Sequence, residues 1–214
     1  MLFKSNDGGA TTANKGIKVS DMQSNINVQL TYEKEVDPLE VTSTMLDGAA
    51  IRLSEQKGIR FVTQLDADKI AELKADGYTV EYGTLIAPKN YLGTSELTFD
   101  LGKGKYVDVP YKANQWHMGV DGQIAGSLVT IKDENIAREF VGRAYVKVTK
   151  DENTTITYAD YQGVDGGEPS MENHFRSLQY VAQKLQSDTE HSDIYEQFKA
   201  RIDAWAKREP APKA

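Results

Sequence analysis

Cysteine is missing altogether from this 214-residue chain. Disulfides, thiolate metal sites and cysteine nucleophiles are therefore excluded. No apolar run approaches the roughly 18–20 residues that a membrane helix needs, so membrane insertion is not expected. Positive charge is also short: Lys and Arg total 25 against 32 Asp and Glu, a formal charge of −7. Nucleic-acid affinity rests on basic side chains displacing counterions from phosphates, so no nucleic-acid partner is expected. Met1, Leu2, Phe3 and Lys4 open no basic stretch leading into an apolar one. No signal peptide is legible there, and the expectation is a chain not exported by itself, or one that begins at a processed point.

What is present is 39% hydrophobic and 27% charged residues, which predicts a packed core under a polar surface. The length allows one domain with an appendage. From Glu172 onward seven acids meet seven bases, so the whole −7 lies in the first 171 residues. That pattern predicts an ion-paired helical tail on an acidic body.

Residues 1–25 are rich in Gly, Ser, Thr, Asn and Lys without periodicity, the mark of a flexible arm. Ile26, Val28 and Leu30 alternate, suggesting a strand near 26–34, and Asp37-Pro38 marks a turn. Short strands are then expected at 49–53, 59–65 and 78–87, and at Leu97, Phe99 and Leu101. Others are expected at Val107 and Val109, at 116–120 and at 124–131. The clearest hairpin is 141–150 with 154–161, turned at Asp151-Glu152-Asn153. One helix interrupts the series over 66–76, with Asp66 or Asp68 as its cap and Gly77 at its end. After Asp165-Gly166-Gly167-Glu168-Pro169 the period changes to 3.6. Phe175, Leu178, Val181, Ala182 and Leu185 form one stripe, and Ile194, Phe198, Ile202 and Trp205 a second. Ser170 is the candidate start signal.

Chemistry is sparse. His117, His174 and His191 belong to no tight ligand motif and read as surface or structural residues. Neither Ser95 nor Ser127 has the flanking glycines of a nucleophile elbow. Gly102-Lys103-Gly104-Lys105 lacks phosphate-loop spacing and reads as a turn. Oxygen ligands cluster at Asp165 and Glu168, but without a twelve-residue calcium loop they read as a turn before a helix. Arg60 and Arg143 stand inside strands and need carboxylate or carbonyl partners if covered. The best binding chemistry is aromatic: Tyr111, Trp116 and His117 lie in a polar stretch with Asn114 and Gln115. Such a set stacks on a sugar or anchors a protein contact. Its plainer use is for Trp116 to cover a sheet edge or the end of the core.

Several segments, in order, carry a resemblance. They are Gly58-Ile59-Arg60-Phe61 (GIRF), the helix end Leu73 to Tyr78, and Tyr82-Gly83-Thr84-Leu85-Ile86-Ala87-Pro88 (YGTLIAP). Gly142-Arg143-Ala144-Tyr145-Val146 (GRAYV), Tyr158-Ala159-Asp160-Tyr161 and Arg176 to Ala182 (RSLQYVA) follow. Together, over residues 45–207, they resemble an accessory module of Gram-positive (Firmicutes-type) secreted cell-surface proteins. The resemblance implies an extracellular, structural or adhesive role and supplies no catalytic residues. A virion carrying a similar module would need no export signal.

The expected fold is mainly β (α+β): an antiparallel β-sandwich-like domain over 26–165 with one internal helix, a C-terminal helical pair over 170–207, and a disordered tail at 208–214. The expected function is non-enzymatic, without cofactor or metal. It is contact with a protein partner or surface glycan through Tyr111, Asn114, Trp116 and His117. The alternatives are a virion decoration without ligand, self-assembly through residues 1–25, and a carbohydrate-active enzyme with paired carboxylates.

Overall fold

The computed structural model describes residues 39–54 and 56–207. The chain divides into two units at Glu40 and Val41, and the elements below belong to the second, Val41–Ala214. The expected arm at 1–25, strand near 26–34, turn at Asp37-Pro38 and tail at 208–214 lie outside the described residues. The strands are β1 (Ser43–Met45), β2 (Ala50–Arg52), β3 (Gly58–Leu65), β4 (Thr79–Pro88), β5 (Val107–Pro110), β6 (Gln123–Val129), β7 (Glu139–Lys150), β8 (Asn153–Tyr158), β9 (Asp160–Tyr161) and β10 (Arg176–Ser177). The helices are α1 (Ala67–Ala75), α2 (Lys89–Leu92), α3 (Leu178–Lys184) and α4 (Ser192–Ala206).

Two five-stranded sheets make a sandwich-like α+β arrangement. In the first, β3 is central. β6 runs antiparallel along one edge, from Gly58 opposite Val129 to Gln64 opposite Gln123. β1 and β2 share the other edge, with Met45 opposite Thr63 and Ala50 opposite Arg60. Leu46–Ala49 therefore bulges out between them, four residues facing two. In the second sheet β7 is central. β4 pairs with it from Thr79 opposite Thr149 to Pro88 opposite Phe140, and β5 lies beyond β4. β8 and β10 share the other edge of β7. Every pair is antiparallel except β1 with β9.

Alternation decides which side chains face inward. Ile59, Phe61, Thr63 and Leu65 of β3 are buried, while Arg60, Val62 and Gln64 are only half-buried. The layers touch closely where glycine replaces a side chain. A Cβ on Gly142 would lie 2.8 Å from the Phe61 side chain, and one on Gly126 would lie 2.4 Å from Thr84 Cβ. Without those glycines the sheets would have to move apart.

The chain crosses between sheets at Ala159. Its N–H donates to the Ala144 carbonyl at 2.9 Å, closing the β8 side, and the next two residues pair with β1 instead. The Ala144 N–H then donates to the buried Met45 sulfur at 3.2 Å, and the Ala159 carbonyl accepts from Arg143 Nε at 2.9 Å. Side chains thus satisfy the backbone groups that the departing strand leaves behind.

The internal helix forms as its sequence predicts. Asp66 caps α1 by accepting from the Lys69 N–H at 2.9 Å, Ile70 and Leu73 are buried, and Gly77 follows at φ +83°. The β7–β8 hairpin closes through two residues, Asp151 and Glu152, at φ +48° and +69°. That is the mirror-image turn whose twist matches the strands.

Three expectations need correction. Leu97, Phe99 and Leu101 alternate like a strand, but Phe99–Leu101 is a 3-10 helix whose start is capped by the Thr98 hydroxyl. The alternation serves cover instead: Leu97 is fully buried, and the Phe99 ring packs edge-on against Tyr145 at 4.9 Å. The expected strand at 116–120 is a 3-10 turn, His117–Gly119. The first C-terminal stripe is not one helix from Phe175. A 3-10 helix, Met171–His174, and strand β10 come first, and Ser177, not Ser170, caps α3. The stretch 170–207 therefore contributes a strand to the second sheet before the helical pair begins. α4 buries Tyr195, Phe198 and Ile202 and is tied down by Arg201, which binds Asp133 at 2.6 Å.

Candidate functional site

The aromatic site is built by strand register. Pro110 of β5 lies opposite Gly83 of β4, so the next residue, Tyr111, falls beside Tyr82, and its N–H donates to the Tyr82 carbonyl at 2.9 Å. The two rings lie 6.1 Å apart at 32°. Trp116 then folds back and stacks on Tyr82 at 5.8 Å and 22°. The Tyr111 hydroxyl donates to the Gln115 carbonyl at 2.9 Å, closing a short loop that holds Lys112, Ala113 and Asn114 exposed. Lys74, in the last turn of α1, places its ammonium 5.6 Å from the Tyr82 ring.

All three rings are half-buried. Burial pushes the Tyr82 hydroxyl above the ordinary phenol value, and the neighbouring Tyr111 adds to it. Burial does the same at Tyr111. At neutral pH both are neutral groups able to donate and accept. The arrangement offers an amphipathic aromatic surface with exposed amides, Asn114 and Gln115, at its rim, chemistry that can stack and hydrogen-bond.

The four sequence-predicted residues do not all converge. Tyr111 and Trp116 meet through Tyr82, and Asn114 stands on the loop between them. His117 lies near Arg60 of β3, and burial, with that positive charge, holds its imidazole below the usual histidine value. Tyr82, the middle ring, read only as a strand residue. The signal that finds it is the pairing of β4 with β5. Met118 was also missed: it is 83% exposed at φ +53°. A side chain rarely takes that left-handed backbone conformation without a tertiary reason.

The remaining candidates are structural. His174 is buried, its Nε2 2.7 Å from the Gln162 carbonyl and its ring 4.9 Å from Tyr161. His191 is exposed beside Asp188 at 3.1 Å. Asp165 and Gly166 take φ +51° and +76° in a turn closed by the Gly167 N–H on the Val164 carbonyl. Among the described residues no group of three or more His, Asp or Glu is arranged to hold a metal ion. Among them, too, no helix is long and apolar enough to cross a membrane. Arg60 finds a hydroxyl partner, Ser127 at 3.4 Å, whereas Arg143 finds both a carboxylate and a carbonyl. No family model, curated protein or solved structure matches the chain.

Proposed function

We propose that this chain is a non-enzymatic binding module, displayed on a bacterial cell surface or a virion, that holds a glycan on the Tyr82–Tyr111–Trp116 platform. The observation that carries the reading is the stacked geometry of those rings beside the exposed Asn114 and Gln115 amides. A pyranose offers an apolar C–H face to a ring and hydroxyls to amides, so the site matches both halves of a sugar. Its preformed loop lowers the ordering cost of binding. The resemblance to Gram-positive surface modules supports the location.

The test is a glycan array followed by titration of the best hit. Trp116→Ala is expected to weaken binding at least tenfold, about 1.4 kcal/mol or more. Asn114→Ala, at an exposed position, is expected to weaken it with no change in thermal stability. Equal binding by wild type and both variants would remove the platform from the function.

A protein partner is the second reading, favoured by Met118 at 83% exposure with Val120 at 45%. Exposed apolar side chains next to a tryptophan suit a protein contact. A pull-down from intact cells or particles that is lost in Met118→Ser but kept in Asn114→Ala would select it.

A further inference from the structure

Arg143 projects from β7 on the face away from Gly142 and the sandwich interior. Its guanidinium lies between the rings of Tyr158, at 5.4 Å, and Tyr161, at 6.0 Å. Nε donates to the Ala159 carbonyl at 2.9 Å and Nη1 to Glu96 Oε2 at 2.8 Å. Nη2 has no hydrogen-bond partner among the described residues. The arginine side chain is only 13% exposed, whereas its acid partner Glu96 is 75% exposed. A largely covered, under-used guanidinium is therefore paired with a solvent-exposed carboxylate. Only the Glu96 end stands in solvent, so its departure leaves the covered guanidinium unpaired unless another carboxylate takes its place. Above the pair lies a cleft of about 380 Å³, lined also by Asp160, Tyr161, Ser170 and Met171.

We propose that this cleft binds a carboxylate-bearing sugar of the uronic- or sialic-acid type, whose carboxylate takes the place of Glu96 on Arg143. Three features select that chemistry. The guanidinium fork matches a planar carboxylate with two parallel bonds. Asp160 and the displaced Glu96 repel a bare anion, so the ligand must bring donors beside its charge, and sugar hydroxyls next to a carboxylate do so. Pro169 and Met171, exposed and half-buried, supply the apolar wall that a pyranose face needs. The cleft shares no lining residue with the Trp116 platform and does not depend on it.

The test titrates the full chain with methyl glucuronoside, methyl galacturonoside and N-acetylneuraminate, with methyl glucoside, inorganic phosphate and N-acetylalanine as comparison probes. At least one acidic sugar is expected to saturate at millimolar concentration and to bind at least tenfold tighter than every comparison probe. Glu96→Gln removes the internal competitor at an exposed position and is expected to tighten that sugar about two- to fivefold. Arg143→Lys keeps the charge, loses the fork and is expected to weaken it at least tenfold. Failure of all three acidic sugars to bind wild type and Glu96→Gln overturns the proposal. So does equal binding of the glucoside or phosphate, tighter binding of N-acetylalanine, or a Glu96→Gln variant that binds no better. In those cases the Arg143–Glu96 pair is a structural strap.

Discussion

The Tyr145 hydroxyl donates to Asp108 Oδ1 at 3.0 Å, and to do so the ring reaches from β7 across β4 to β5. It passes over Gly83, where a Cβ would lie 2.7 Å from that hydroxyl and 2.8 Å from the Val109 carbonyl. Tyr145→Phe keeps the ring and loses one hydrogen bond to an exposed carboxylate, so it is expected to cost about 1 kcal/mol. Gly83→Ala collides with backbone as well as ring and is expected to cost more than Tyr145→Phe. Urea denaturation of both variants ranks them.

Burial raises both Tyr145 and Tyr161 far above the ordinary phenol value, with nearby Asp108 adding at Tyr145. The folded chain therefore keeps these protons after the unfolded chain has released them. Their contribution to stability is complete below about pH 10 and is lost as pH rises beyond it. In an alkaline ultraviolet titration both tyrosines are expected to ionise only together with unfolding. Tyrosinate absorbance that reaches its full amplitude while the circular dichroism stays native contradicts this.

His117 carries the opposite pH signature. Burial and Arg60 lower its value in the folded chain, so the unfolded chain binds the proton more tightly. Stability is expected to fall as pH drops through about 6.5 and to level off below the folded value. His117→Gln should lose less stability than wild type between neutral and mildly acidic pH; parallel losses exclude the effect.

Asp151 and Glu152 hold left-handed conformations that suit Asn and Gly better. The double change Asp151→Asn, Glu152→Gly is expected to raise stability by about 1 kcal/mol without moving the strands. A lower melting temperature would mean that the turn gains something from its two carboxylates.

Gly142→Ala and Gly126→Ala each push a methyl group into the opposite sheet, and each is expected to cost about 1–3 kcal/mol. Thermal melts should show both destabilised and still cooperative.

Much of the scaffold is legible in the sequence because its signals are local. Gly58–Leu65 alternates by itself, Asp66 and Gly77 bracket α1, and the β7–β8 hairpin carries β-branched residues on both arms. The misread segments are those where local pattern serves a distant surface. Leu97 and Phe99 alternate without forming a strand because Leu97 is buried while the Phe99 ring covers Tyr145 of the second sheet. Phe175 shares a 3.6 period with Leu178 although β10 lies between them. The site was half legible for the same reason. Tyr111 and Trp116 advertise themselves in a polar loop, but Tyr82 joins them only through a pairing register that sits thirty residues away in the text.

At Ala159 one of the chain's passages between the layers runs directly from β8 into β9, with Met45 and Arg143 bonded on either side of it. The end of the hairpin and strand β1 are tied together through that passage. Strain on one side is felt on the other, so amide exchange at Ala144 and at Thr44 and Met45 is expected to slow or quicken together.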